Sequence, residues 1–301
     1  MSAQLVTVGV VLAASSGLPG LFLGRTGEAG ARIAAALMTL AALAGGAGAV
    51  LVLVGGTSSL ELPWSVPGGA FALRVDAISA MFVLQVFALG LAGSIYGLGY
   101  WPQREHARDG RKLRAFYGFI IAGMALLVVA DNTMLFLAGW EGMALAAFLT
   151  LTSQDDLREV RQVGYVYIVA TRLGTLCLFA MFALLFTVTG GFSFSASLGG
   201  ASPGMAAAIF VLALLGFGLK AGFMPMHVWL PGAHANAPSH VSALMSGVLI
   251  KMGIYGLVRL TSLFPVPPTW WGVAVLTLGV LSGVLGVAFA FGQHDLKRLL
   301  G

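Results

Sequence analysis

Three ionisable side chains stand in stretches that are otherwise apolar enough to cross a bilayer. Lys220 lies in Leu214-Leu215-Gly216-Phe217-Gly218-Leu219-Lys220-Ala221-Gly222-Phe223-Met224-Pro225. Glu141 lies in Leu135-Phe136-Leu137-Ala138-Gly139-Trp140-Glu141-Gly142-Met143, and Lys251 in Gly247-Val248-Leu249-Ile250-Lys251-Met252-Gly253. A charge at such depth costs roughly 2.5–3.5 kcal/mol on insertion scales, so residues of this kind mark proton or ion handling. The chemistry follows from the residue types. Burial disfavours the charged form of a lysine and a nearby carboxylate favours it, so changes at the carboxylate switch a lysine between holding and releasing a proton. His240 falls on the same helical face as Lys251, because 11 residues at 100° return to within about 20°. The two positions are still roughly 16 Å apart along the axis, so water or another polar group must connect them. Ser242 and Ser246 form a second polar strip on that helix.

The elements that must carry these residues are membrane helices. The chain is 58% hydrophobic and 9% charged, against about a quarter charged in soluble domains. Its 42 glycines suit closely packed transmembrane helices. The single cysteine, Cys177, excludes internal disulfides and a thiolate-held cluster. Apolar stretches occur at about 5–23, 33–54, 77–100, 115–130, 132–152, 164–188, 205–230, 239–260 and 270–292, near the ~20 residues that a span requires. The first has no basic flank or small-residue cleavage site and reads as a retained helix. The expected class is an all-α polytopic membrane protein of about nine spans.

Basic residues orient it. With the N-terminus outside, the inner connections and the tail hold Arg25, Arg32, Arg104, Arg108, Arg111, Lys112, Arg114, Arg158, Arg161, Lys297 and Arg298, which is 11 of the 16 lysines and arginines. Only Arg74 and Arg259 fall outside, as the positive-inside rule expects. Loop 55–72, with Pro63, Pro67, Gly68 and Gly69, reads as an ordered outer turn or short hairpin. Asp131-Asn132 reads as a tight turn, and Arg74 with Asp76 as an interfacial pair. Trp64, Trp101, Trp229, Trp270 and Trp271 fall where interfacial belt residues are expected.

The seventh span is the irregular one. Pro225 should kink or break the helix close to residues 221–225. Irregular backbone at membrane depth is tolerated only where it is buried in protein or lines a wet cavity. Lys220 stands just before the break, and Pro231 and Pro238 then bracket a polar turn with His234 and Asn236. An interrupted helix carrying an ion-handling residue is a recurrent transporter device.

Trp140-Glu141-Gly142, Lys220-Ala221-Gly222 and the long run His227-Val228-Trp229-Leu230-Pro231-Gly232-Ala233-His234-Ala235-Asn236-Ala237-Pro238-Ser239-His240-Val241-Ser242-Ala243-Leu244 together carry a family resemblance. They resemble the antiporter-like subunits, the proton-translocating membrane subunits of complex I, multisubunit cation/proton antiporters and membrane-bound hydrogenases. Met245-Ser246-Gly247-Val248-Leu249-Ile250-Lys251-Met252-Gly253-Ile254-Tyr255-Gly256 is most similar to the hydrogenase-4 and formate hydrogenlyase branch. Arg74-Val75-Asp76-Ala77, Tyr96-Gly97-Leu98-Gly99-Tyr100 and His294-Asp295-Leu296-Lys297-Arg298 extend the match to roughly residues 70–301. Thr171-Arg172-Leu173-Gly174-Thr175 departs from that branch, which more often has histidine where Arg172 stands; an arginine there resembles one complex I branch.

The resemblance implies a relay in which Glu141 modulates Lys220, which passes a proton towards Lys251. His240, from its place on the helix of Lys251, is expected on the cytoplasmic side of that path as a further relay member and one entry for protons. Arg172, His227, His234, His294 and Lys297 are accessory. It also implies an organisation of 1–112 (spans one to three), 113–262 (a five-helix repeat, spans four to eight) and 263–301 (span nine and the start of a second repeat). On that reading the chain is truncated after the ninth span. Implied partners are the other membrane and peripheral subunits of a hydrogenase or complex I-like assembly, the lipid bilayer of the inner (plasma) membrane, and protons or sodium, with no nucleic acid. No cofactor and no metal is expected, since the chain has no cluster motif, nucleotide loop or haem-spaced histidine pair; electrons would move in other subunits.

Structural readings compete at each position. Glu141 could hold Arg172 or a backbone group, Lys220 and Lys251 could be ion-pair partners, and Arg172 suits a packing role. His227 and His234 could bond at the interface, and Lys297 could be a snorkelling anchor. A stand-alone solute transporter would show more convergent polar groups near the broken helix. A passive anchor would not need three buried charges. A single relay further requires the fifth, seventh and eighth spans as neighbours, with Glu141, Lys220 and Lys251 all facing inward.

Overall fold

A computed structural model describes residues 1–24, 26–64, 70–194 and 198–299. Arg25, Pro67, Gly68 and Gly69 lie outside the described residues. Among them, nine helices are long and apolar enough to cross a membrane. The chain divides into two compact units, Met1–Asp155 with Pro238–Val248, and Asp156–Ala237 with Leu249–Gly301.

The first unit holds α1 (Ser2–Ser15), α2 (Pro19–Phe22), α3 (Ala29–Gly55), a hairpin of β1 (Ser58–Leu62) and β2 (Phe71–Val75), α4 (Ala77–Tyr100), α5 (Gly110–Val129) and α6 (Thr133–Leu151). The antiparallel pairing runs from Ser58 opposite Val75 to Leu62 opposite Phe71, which is the hairpin expected in loop 55–72. Asp76 caps α4 by accepting from Ser79 N at 2.8 Å, and Arg74 reaches Asp131 at 3.8 Å. The tight turn at Asp131-Asn132 is present: Asn132 accepts from Leu135 N at 2.8 Å and so caps α6. α5 is apolar on nearly every side and is correspondingly the core helix, packed on α1, α4 and α6.

The second unit holds α7 (Arg158–Thr189), α8 (Pro203–Ala221), α9 (Leu230–Asn236), α11 (Lys251–Thr261), α12 (Thr269–Phe291) and α13 (Leu296–Leu299). Ser202 caps α8 through Met205 N, and Pro203 sits at the first helical position, where its missing N–H costs nothing. α8 packs on α7 and α11, and α9 on α7 and α13. Lipid tails give helices no hydrophobic reason to associate, so close backbone approach has to supply the contact. Gly253 provides it on α11: a Cβ there would lie 2.4 Å from Phe217 O and 2.8 Å from Ala221 N of α8. Trp271 is the one buried residue of α12, stacked on Phe210 at 4.3 Å, so it packs against protein.

The eighth span is not a uniform α-helix. α10 (Ser239–Leu244) passes into a π-helical turn, Met245–Leu249, before α11. The regular count of 100° per residue from His240 to Lys251 therefore does not hold. Inserted π turns of this kind recur at functional positions.

Candidate functional site

The helix break lies where the proline pattern put it. α8 stops at Ala221, and Gly222 caps it at φ +76°, with its N–H donated to Gly218 O at 2.8 Å. Any side chain would be strained in that left-handed conformation, and a Cβ would lie 2.1 Å from Leu230 Cδ1. The chain then turns through residues 223–229 into α9 (Leu230–Asn236).

Lys220 occupies the last turn of α8 and is 3% exposed. Its Nζ donates to Tyr167 Oη at 3.1 Å and stands 5.3 Å from the Tyr167 ring centroid and 5.8 Å from that of Trp229. The two rings meet edge to face at 5.2 Å. Trp229 is fixed by donating Nε1 to Leu219 O at 2.8 Å, a carbonyl that the end of α8 leaves unused. Aromatic faces attract a cation, and the carbonyl end of a helix favours positive charge, so the niche suits an ammonium. Tyr167 and Trp229 were not singled out from the sequence for this role. Trp229 was expected in an interfacial belt, yet it is 1% exposed; the signal that could have found it is its place nine residues past Lys220, across a predicted break.

Lys251 differs. It opens α11 and is exposed, in line with exposed Ile254 and Val258 at helical spacing. The expectation that all three charged residues face inward therefore fails here. The outward stripe at 251, 254 and 258 leaves Met252, Gly253 and Tyr255 to the packed side. Glu141, on α6 in the first unit, is half-buried.

His240 opens α10 in the first unit at 5% exposure, its ring 5.7 Å from that of Tyr117 and 6.1 Å from that of Tyr100. Its Nδ1 is buried and has no hydrogen-bond partner among the described residues. Beside it lies a cavity of about 20 Å³, bordered by Ser16, Gly97, Trp101, Arg114 and Tyr117. That is room for about one water. The Arg114 guanidinium is steered by Gln103, to which it donates a hydrogen bond.

The accessory residues scatter. Arg172 is half-buried on α7. His227 lies beside Phe289 at 6.2 Å, and its Nδ1 is buried with no partner among the described residues. His234, on α9, is 2% exposed, and burial lowers its pKa from the ordinary histidine value. His294 is exposed, while Lys297 donates to Ala237 O at 3.0 Å and ties α13 to the end of α9. The structure thus brings the helices of Lys220 and Lys251 together through α8 and α11, and places Glu141 and His240 in the other unit. Among the described residues, no group of three or more His, Cys, Asp or Glu could hold a metal ion.

Residues 130–301, which include Glu141, Lys220 and Lys251, match the family described as NADH:quinone oxidoreductase/Mrp antiporter, TM. Hydrogenase-4 component B of Escherichia coli (strain K12) is 38% identical over 240 residues, covering 76% of this chain and 34% of that protein. NADH-quinone oxidoreductase subunit L of Mycobacterium tuberculosis (strain ATCC 25618 / H37Rv) is 31% identical over 295 residues, covering 93% and 46%. The solved Mrp complex from Dietzia sp. DQ12-45-1b contains a chain that matches with a TM-score of 0.83 at 26% identity, over 99% of this chain and 32% of its own. The chain belongs to the NADH:quinone oxidoreductase/Mrp antiporter transmembrane family, as a multi-pass membrane protein of the antiporter-like kind. It spans about a third to a half of the length of these curated relatives.

Proposed function

We propose that this chain is a proton-translocating membrane subunit of a redox-driven complex, hydrogenase-like or NADH-quinone oxidoreductase-like, in which electrons move through other subunits. The observation that carries this reading is Lys220: an ammonium 3% exposed, at the broken end of a membrane helix, held by a hydroxyl and two aromatic faces. So costly a placement favours a group that changes charge over one that only packs. Glu141 sets the charge of Lys220, Lys251 takes the proton onward, and His240 with its water-sized cavity serves proton uptake. Arg172, His227, His234, His294 and Lys297 have supporting roles.

The exposure of Lys251 counts against a relay closed within this chain, so the proposal requires further protein or water over that face, where a lysine left against hydrocarbon would be costly. The proposal carries with it the plasma membrane, an outside N-terminus, the segments 1–112, 113–262 and 263–301, and partner membrane and peripheral subunits. A second reading, a subunit of a multisubunit sodium/proton antiporter, is favoured by the match to the Mrp complex.

The test uses the full-length protein in its assembly, reconstituted in sealed vesicles. Lys220→Ala is expected to abolish coupled proton translocation while the assembly still forms. Wild-type pumping by this variant overturns the relay. Sodium-dependent proton movement in vesicles lacking any electron donor would favour the second reading.

A further inference from the structure

We infer that the cavity beside His240 is a built site for one neutral water molecule, which takes a hydrogen bond from Trp101 and gives one to His240. The cavity of about 20 Å³ lies wholly within the first unit, where Ser16 at the end of α1, Trp101 at the end of α4, Arg114 of α5 and His240 of α10 meet. Two of these residues carry a buried polar atom with no hydrogen-bond partner among the described residues: the indole Nε1 of Trp101 and the Nδ1 of His240. Buried groups left unpaired are costly. One water serves both, since buried waters typically make about three bonds to polar groups that otherwise lack a partner.

The polarity of the border decides what the occupant is. The indole N–H and the Arg114 guanidinium can only donate. The Ser16 hydroxyl gives its hydrogen to Ala13 O at 2.7 Å, so it offers other neighbours its lone pairs. A neutral imidazole accepts through the nitrogen that lacks a proton. Two donors and two acceptors are the complement of one water, whose oxygen accepts from Trp101 and Arg114 while its hydrogens go to Ser16 and His240. Ser94, also on the border, can take either part. A sodium ion or a hydronium does not fit, because a cation needs acceptors around it and would stand here beside a guanidinium.

Gly97 keeps the site open. A Cβ there would meet the His240 ring at 3.6 Å, an ordinary contact, so alanine would add a methyl group on this border without a clash. On the uptake role proposed above for His240, this water is the link between the imidazole and its proton supply.

The test uses the full-length protein in its assembly, imaged finely enough to show ordered water, as wild type, Gly97→Ala and Trp101→Phe. The wild type is expected to show one peak within hydrogen-bond distance of Trp101 and His240. Gly97→Ala should abolish it. Trp101→Phe keeps a ring against His106, where the indole stacks at 3.5 Å, and should weaken the peak by removing one donor. Thermal unfolding gives an independent sign. Alanine for a helical glycine beside a dry gap raises the unfolding temperature, whereas expelling a water that serves buried groups lowers it. A lower temperature is expected for Gly97→Ala.

An empty wild-type cavity overturns the inference. So does a peak whose strength follows the sodium concentration, and so does a Gly97→Ala protein that unfolds at a higher temperature than wild type. In sealed vesicles, Gly97→Ala is expected to translocate protons roughly tenfold more slowly. If the water is present and its loss leaves the rate unchanged, the site stands and the uptake role of His240 falls.

Discussion

Lys220 and Lys251 are the same residue type, on two membrane helices packed together, yet their surroundings are opposite. Lys220 is 3% exposed and held by Tyr167 and Trp229, whereas Lys251 lies on an outward stripe with Ile254 and Val258. The difference comes from where each sits on its helix. Lys220 is in the last turn of α8, where the break at Gly222 folds Trp229 back over it. Lys251 opens a regular helix whose glycine-bearing side is already committed to α8 through Gly253, which leaves the lysine on the other side. The lesson is that two buried-looking lysines in a sequence can differ in role. Under the proposed relay one is built to hold a proton, the other to deliver it beyond this unit.

The comparison breaks most severely if the two helices are separated. Gly253→Leu would drive a side chain into the α8 backbone, where the contacting atoms are Phe217 O and Ala221 N and cannot rotate away. The expected loss is about 3 kcal/mol or more, beyond the usual penalty for overpacking a core. Membrane levels of the full-length protein and its thermal unfolding in detergent should both fall sharply. Wild-type unfolding would show that α8 and α11 approach less closely than the Gly253 contact implies.

Much of this contrast was legible beforehand, and the part that was not has a physical cause. Nine spans follow from the length of the apolar runs, and the break near residues 221–225 follows from the chemistry of proline. Lys220 stood out because a charge in an apolar run cannot be accidental. Tyr167 did not, because a tyrosine in a membrane helix is ordinary until another helix brings a lysine to its hydroxyl. Trp229 was read as interfacial because its partner lies across the break. The outward turn of Lys251 and the π turn before it depend on the register between helices, which the period of a single helix does not encode. Burial for Lys220 was legible as a cost, but the identity of the groups that offset it was not.

Arginine at the two lysine positions sharpens the comparison at an intermediate scale. Neither Lys220→Arg nor Lys251→Arg can release a proton in an accessible pH range, so both should stop translocation. Stability should separate them. The larger, planar guanidinium would have to displace the side chains packed around a residue that is 3% exposed, and Lys220→Arg is expected to cost about 1–3 kcal/mol. Lys251→Arg changes an exposed side chain and should stay within about 0.5 kcal/mol of wild type. Thermal unfolding of the two variants in the same detergent decides it, and equal losses would mean that the niche is more open than its geometry implies.

The smallest expected effect is the most specific to the niche. Trp229→Phe keeps an aromatic face near Lys220 but removes the indole N–H that Leu219 O accepts at 2.8 Å. That deletes one hydrogen bond, worth about 1 kcal/mol, and exchanges the best cation-binding ring for a weaker one. The hydrogen bond from Lys220 to the Tyr167 hydroxyl does not involve the indole and should remain. The expected outcome is a stability loss of about 1 kcal/mol and a two- to fivefold slower translocation, on the order of what a cation–π contact supplies. Unfolding and vesicle assays on one preparation measure both. A loss of translocation as complete as that of Lys220→Ala would show that Trp229 fixes the position of the lysine, and that the ring's attraction for the ammonium is secondary to the indole's bond to the end of α8.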